Sequence, residues 1–142
     1  MEITEAINYR EDIIALLSSE KLPTSDLTGT LKNFLSVIEN DELVGVVGLE
    51  TYGSYGLLRS LAVQPGSRNQ NIAGKLMAQI EKLATAEGLN SIFLLTETAP
   101  DYFSRKGYKV IARNEVPIEV QQSSEFSHMC PQSAIAMKKD LQ

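Results

Sequence analysis

The sequence predicts a mixed α/β fold, in which a central sheet of about six to seven strands is flanked by helices. The chain has 142 residues, of which 43% are hydrophobic, which suits one core-forming domain. Apolar runs of strand length alternate with segments of helical period in the middle of the chain, and a hairpin signal precedes them. No repeat, linker or low-complexity tract interrupts this order. We therefore expect a single domain over residues 1–142.

The first part of the chain predicts a helix and a hairpin. Residues 11–18 place isoleucine and leucine on one helical face, and residues 21–30 predict a loop or a broken helix because Pro23, Gly29 and polar residues break the period. The runs FLSVIE and ELVGVVGLE are separated by Asn40-Asp41, a pair that accepts the positive φ angles of a tight turn. These two runs predict an antiparallel hairpin.

The rest of the chain predicts alternating strands and helices. The run GLLRSLAV is a strand that ends before Pro65, which cannot donate to a ladder. A helix begins at Ile72, where apolar residues recur every three or four positions, and Gly88 ends it. The following segments predict, in order, a strand at SIFLLT, a short helix at APDYFSRK, a strand at YKVIAR, a loop over residues 114–132 and a last strand at SAIAMKK.

Charge and cysteine content exclude several classes of function. A net charge of −5 disfavours a nucleic-acid-binding protein, which normally has a basic face. No apolar run approaches the ~20 residues of a membrane span, and the N-terminal residues lack the pattern of a signal peptide. The single cysteine, Cys130, with His128 nearby is too little for a metal site. We expect a cytoplasmic protein that binds neither membranes, nucleic acid nor a metal.

One segment has a local cationic character within this acidic chain. Residues 51–80 contain no aspartate or glutamate, but they include Arg59, Arg68 and Lys75. Such a window suits a small anionic ligand.

The same window contains a strand, a tight turn and a helix, LAVQPGSRNQNIAGKLM, over residues 61–77. A helix N-terminus that follows a strand directs several backbone amides and the positive end of the helix dipole at one point, which favours phosphate. Asn71 accepts a left-handed conformation, and Ala73 and Gly74 allow close approach. The segment is neither a Walker loop nor a dinucleotide fingerprint.

This segment resembles the signature of the GCN5-related N-acetyltransferase (GNAT) superfamily. That signature is a strand ending in Val-x-Pro, followed by Arg/Gln-x-x-Gly-x-Gly/Ala, and here Arg68, Asn71 and Ala73 occupy the marked positions. Asn71 stands where a glycine is usual. The later segment SIFLLTETAPDYFSRKGYKVIAR resembles the family's next strand and helix. Within the superfamily, the chain resembles amino-acid acetyltransferases of the N-acetylglutamate synthase type and acetyltransferases of arsenic-resistance operons.

The resemblance implies the acyl-CoA N-acyltransferase fold and acetyl-CoA as co-substrate. The pyrophosphate would lie on the backbone amides of the loop, and the pantetheine arm would pair with the strand before it. The implied cofactor-binding residues are Leu61, Ala62, Val63, Arg68, Asn69, Gln70, Asn71, Ile72, Ala73, Gly74 and Phe103.

The implied reaction is direct attack of a primary amine on the thioester, which requires a base for the ammonium proton. We expect Glu50, at a strand end, to be that base, with Glu97 as the second candidate. Many family members place a tyrosine acid where this chain has Phe103, so that acid is expected to be missing here. Loss of this acid matters little, because a thiol with a pKa near 8.5 leaves readily.

Three residues are candidates for binding a small amine acceptor. Arg59 lies in an apolar strand, and a buried guanidinium needs either a protein carboxylate or a substrate carboxylate. The resemblance to amino-acid acetyltransferases favours the substrate. Tyr52 and His128 are expected to line the same pocket.

Two other functions fit the same resemblance. The chain could be a non-catalytic acyl-CoA-binding regulatory module, or it could acetylate protein N-termini or lysines. The sequence also leaves open a homodimer, in which the last strand would pair with a second copy.

Overall fold

The computed structural model describes residues 2–27, 29, 31–123, 126 and 133–141. The strands are β1 (Glu2–Glu5), β2 (Phe34–Glu39), β3 (Glu42–Tyr52), β4 (Tyr55–Val63), β5 (Ser91–Thr96), β6 (Lys109–Ile111) and β7 (Ile135–Asp140). The helices are α1 (Arg10–Ser19), α2 (Ile72–Ala86), α3 (Pro100–Arg105) and α4 (Ile118–Gln121). Short 3-10 turns lie at Ile7–Tyr9, Pro65–Gln70 and Arg113–Glu115.

Within the described residues, the strands form a seven-stranded sheet in the order β1-β2-β3-β4-β5-β7-β6. β4 and β5 are parallel, while β7 is antiparallel to both β5 and β6. The sheet is therefore mixed, as the sequence predicts. β7 pairs with two strands of its own chain.

The chain divides into two compact units. The first unit comprises Met1–Leu49 and Arg59–Leu83, and the second comprises Glu50–Leu58 and Ala84–Gln142. A core cluster of the first unit contains Ala6, Ile13, Leu16, Leu17, Leu27, Leu31, Phe34, Ile38, Leu43, Val46 and Ala62. A core cluster of the second contains Leu57, Phe93, Val116, Val120, Phe126 and Ala136.

Most of the predicted elements are present with small shifts of their ends. Asn40 and Asp41 have φ angles of 53° and 63°, which confirms the tight turn between β2 and β3. β1 and α4 were not predicted from the sequence. β1 has only four residues and becomes a strand by pairing with β2, whereas α4 lies inside the stretch that was predicted to be a loop.

The β2–β3 pair depends on a glycine that leaves room for an aromatic ring. Gly48 lies opposite Phe34 in the register of the two strands, and Phe34 is buried in the core of the first unit. A Cβ atom on Gly48 would stand 2.5 Å from Cε2 and from Cζ of Phe34. The ring therefore fills the space that a side chain at position 48 would need.

We expect Gly48→Ala to lower the free energy of unfolding by about 1–3 kcal/mol, because the buried ring must shift to admit the new methyl group. Urea unfolding measures this loss. Gly66→Ala is the matched control, since a Cβ on Gly66 meets no atom within 4 Å. Equal stability of the Gly48→Ala variant and the parent would contradict the prediction.

Candidate active site

The turn between β4 and α2 has a backbone suited to anion binding. β4 ends at Val63, Pro65–Gln70 forms a 3-10 turn, and Asn71 follows with φ 55° and ψ 34°. This is the left-handed conformation, which asparagine enters more readily than other non-glycine residues. The conformation expected of Asn71 is confirmed, so the missing glycine does not prevent the turn.

The N-terminus of α2 follows this turn directly. Lys75 N donates to Asn71 O at 3.2 Å, a bond of the helical i to i−4 type. The N–H groups of Ile72, Ala73 and Gly74 belong to the first turn, whose amides have no acceptor within their own helix. Ile72 is completely buried, so its side chain belongs to the core and only its backbone can serve a ligand.

The position of the Asn71 side chain requires a glycine at position 74. A Cβ atom on Gly74 would lie 2.3 Å from Oδ1 of Asn71, so the Asn71 side chain lies over the glycine. A larger residue at position 74 would displace this side chain. Asn71 and Gly74 thus pack closely together at the start of α2.

Arg68 holds the turn to the strand before it. Its Nε donates to Val63 O at 3.2 Å, and its Nη2 pairs with Glu20 Oε1. The side chain is 53% exposed, so this ion pair is solvated. Arg68 therefore links the turn to the end of β4, and its charge is already paired with Glu20.

The end of β4 is fixed by polar contacts to β3. Gln64 N donates to Val44 O at 2.8 Å, and Gln64 Nε2 donates to Leu43 O at 2.8 Å. The other predicted cofactor-binding residues of this region lie before or after Gln64 in the chain. Leu61 is half-buried, and Ala62 and Val63 are buried. Asn69 lies in the 3-10 turn, and Gln70 is exposed.

Arg59 forms a buried ion pair rather than facing an open pocket. Its Nη1 donates to Asp26 Oδ2 at 2.6 Å and its Nη2 donates to Asp26 Oδ1 at 2.8 Å. The side chain of Arg59 has no exposure and that of Asp26 is 9% exposed. The guanidinium, through these hydrogen bonds, holds the pKa of the Asp26 carboxyl below its usual value.

This pair corrects the argument for Arg59 as an acceptor-binding residue. Residues 51–80 contain no acid, but Asp26 reaches Arg59 from the loop after α1. The geometry supports a structural role, and we do not propose Arg59 as a substrate ligand. The sequence could have indicated Asp26 only as an acid within a polar loop, since nothing in the spacing links the two residues.

Ser60 is a residue that the sequence analysis missed. It has a φ of 60° in the middle of β4, which is uncommon for a residue with a side chain and requires support from its surroundings. Ser60 is buried, and its Oγ accepts a hydrogen bond from Arg59 Nε at 3.0 Å. The Arg59 side chain therefore supports the irregular backbone beside it.

The second unit brings together two of the predicted site residues. Tyr52 Oη donates to Glu50 Oε1 at 2.7 Å, and both residues lie near the end of β3. Glu50 is half-buried there, as is Tyr52. The candidate base and the candidate pocket-lining residue thus contact each other directly.

The other predicted residues have different surroundings. Glu97 is exposed after β5. Phe103 is buried in α3, with ring centroids 5.3 Å from Tyr102 and 5.9 Å from Tyr108, so it is a packed aromatic residue. His128 lies outside the described residues.

A cavity of about 490 Å³ lies within the first unit. Its lining includes three carboxylates and, among the described residues, no lysine or arginine. Such a lining repels a polyphosphate, so this cavity does not suit the phosphates of an acyl-CoA. The lining residues are Asp12, Ala15, Leu16, Ser19, Asp41, Glu42, Leu43, Gln64 and Pro65.

In the part of the chain that the structure describes, no helix is long and apolar enough to cross a membrane. No group of three or more histidine, cysteine or acidic side chains there is arranged to hold a metal ion.

We expect Asp26→Asn to lower the free energy of unfolding at pH 7 by about 3–5 kcal/mol, because it leaves the buried guanidinium without its counter-charge. The lowered pKa of Asp26 also predicts a pH dependence. The pair stabilises the fold above the unfolded-state pKa of about 3.9, and its contribution is lost as the pH falls through the folded-state value. Urea unfolding between pH 7 and pH 3 measures both effects.

Asp26→Asn should therefore lose part of the acid sensitivity of the parent. Glu87→Gln is the control, since it neutralises an exposed carboxylate. Parent-like stability of Asp26→Asn at pH 7 would show that the ion pair does not hold this unit together.

Comparisons with known proteins agree with the fold. The acetyltransferase (GNAT) family model matches residues 9–110. The chain is 30% identical over 96 residues to an IAA acetyltransferase of Azospirillum brasilense, a match covering 66% of this chain and 63% of that protein. It is 27% identical over 85 residues to an amino-acid acetyltransferase of Neisseria meningitidis, covering 58% of this chain and 20% of that protein. The matches span less than two thirds of the length of both relatives.

The structure is similar to that of N-acetylglutamate synthase from Neisseria gonorrhoeae, solved with coenzyme A and N-acetylglutamate. The TM-score is 0.81 at 18% sequence identity, and the match covers 99% of this chain and 35% of that chain. This likeness establishes a common fold. Because the family model also spans well over half of the chain, including the β4–turn–α2 segment, the protein belongs to the acetyltransferase (GNAT) family.

Proposed function

We propose that the protein transfers the acetyl group of acetyl-CoA to the primary amine of a small, amino-acid-like acceptor. The observation that carries this proposal is the left-handed turn at Asn71, which opens a helix of 15 residues with small residues in its first turn. The pyrophosphate would bind the backbone amides from Arg68 to Gly74, and the pantetheine arm would lie along Leu61, Ala62 and Val63.

The fit of an acyl-CoA to these residues depends on backbone groups more than on charge. The amides of Ile72, Ala73 and Gly74 lie at the positive end of the α2 dipole. Arg68 is paired with Glu20, so its guanidinium adds little uncompensated charge. The methyl group of Ala73 is small enough for a phosphate to approach the backbone, and Gly74 has no side chain, although the Asn71 side chain occupies the space where its Cβ would lie.

The chemistry requires proton removal from the acceptor. The neutral amine attacks the carbonyl carbon of the thioester, so that a C–N bond forms, the C–S bond breaks and coenzyme A leaves as its thiolate, which can take up the proton that the nitrogen loses after attack. Glu50 accepts the proton that leaves the ammonium group, and Glu97 is the alternative base. Phe103 has no proton to give, but a thiol with a pKa of about 8.5 is a sufficient leaving group without an acid.

The acceptor class is supported by the names of similar proteins. One relative is an amino-acid acetyltransferase, and a protein of the same fold was solved with N-acetylglutamate. His128 remains a candidate acceptor-binding residue from the sequence.

Release of free thiol from acetyl-CoA tests this function. The acceptors to compare are amino acids, arsenical and phosphinic amino-acid analogues, polyamines, aminoglycosides and short peptides. We expect thiol release with one or more amino acids or their analogues. Thermal stabilisation by acetyl-CoA without release by any amine would instead identify a regulatory acyl-CoA-binding module, and release with peptides alone would identify a protein acetyltransferase.

We expect Ala73→Phe to weaken coenzyme A binding at least about tenfold, because the bulky ring prevents phosphate from reaching the first amides of α2. Isothermal titration with coenzyme A measures the Kd. Ala78→Phe is the matched control, since Ala78 is exposed further along the same helix. If a folded Ala73→Phe variant binds as tightly as the parent, the cofactor site lies elsewhere.

A further inference from the structure

Glu50 and Tyr52 occupy alternate positions of β3, which places both side chains on one face of the strand. The Tyr52 hydroxyl donates to Glu50 Oε1 at 2.7 Å. A phenol carries a single proton for donation. Since that proton is directed at Glu50, Tyr52 does not donate it to an acceptor molecule in this arrangement.

The ring of Tyr52 is anchored by packing. It lies against the second unit's core cluster, which includes Leu57, Phe93 and Val120. A glutamate side chain has several rotatable bonds, and restraining it requires a partner whose own position is set. The packed ring therefore gives the hydroxyl a defined place from which to hold the Glu50 carboxylate.

We propose that Tyr52 is a positioning residue that orients the Glu50 carboxylate for proton transfer, rather than a residue that contacts the acceptor. This inference rests on the proposed function, in which Glu50 is the base. A carboxylate offers about four lone-pair sites, so one hydrogen bond from Tyr52 does not prevent it from accepting a proton. The bond selects one orientation of the base before the amine arrives.

Tyr52→Phe tests the proposal, because it removes the hydroxyl and keeps the packed ring. Steady-state thiol release is measured with acetyl-CoA and the amino acid that releases most thiol in the screen above. We expect kcat to fall about tenfold or more, as for loss of a hydrogen bond to a charged group, while both KM values and the Tm stay close to those of the parent. Tyr55→Phe is the matched control, since Tyr55 packs against the same core cluster.

A double-mutant cycle with Glu50→Gln separates positioning from acceptor contact. If Tyr52 acts through Glu50, the Tyr52→Phe change has little further effect on kcat once Glu50 is replaced. Independent, multiplicative losses in kcat, or a rise in the acceptor KM with Tyr52→Phe, would overturn the positioning role and leave the proposed base intact. Full kcat in Glu50→Gln would remove the base itself and the positioning role with it, and thiol release by no amine would refute the proposed function.

Discussion

The first compact unit depends on one buried ion pair, Arg59 with Asp26. A guanidinium without solvent exposure is stable only where its N–H groups are paired, and Arg59 donates to both Asp26 oxygens, to Ser60 Oγ and to Pro23 O. Separation of the loop after α1 from β4 would therefore leave a charged side chain either exposed to solvent or buried without a partner. The same contact supports the left-handed backbone at Ser60, from which β4 continues towards the turn at Pro65–Gln70.

The cations of the acid-free window have different roles. Arg59 is buried and structural, whereas Arg68 forms a solvated pair with Glu20, a kind of contact that contributes about 0–1 kcal/mol. Arg68 matters more through its bond to Val63 O, which ties the turn to its strand. Most of the positive charge of residues 51–80 therefore pairs with carboxylates of the protein itself. The proposed anion site relies on backbone amides.

The second unit contains the groups proposed for proton transfer. Phe103 packs edge-on against Tyr102 and Tyr108, so its ring contributes to the core and supplies no acid. Glu50 is restrained by Tyr52, whose ring packs against the core of the same unit. Proton removal by an oriented carboxylate and departure of a good leaving group together account for the proposed reaction without a second proton donor.

The sequence by itself determined the local features of this protein. The hairpin at Asn40-Asp41, the start of α2 at Ile72, the strand at Ser91–Thr96 and the left-handed Asn71 all follow from residues close together in the chain. Their conformations depend on backbone preferences and hydrophobic period, which can be read within a short window. The family signature also lies within a short stretch of the sequence, residues 61–77, so the fold could be predicted from it.

Only the tertiary structure decided which side chains meet. Asp26 pairs with Arg59 across 33 positions of sequence, and Glu20 reaches Arg68 across 48. β1 is a strand because it forms backbone hydrogen bonds with β2, and its own four residues do not predict a strand. A charged residue in an apolar strand indicates that a partner is needed. The identity of that partner depends on how distant segments pack, and a local sequence pattern does not contain this information.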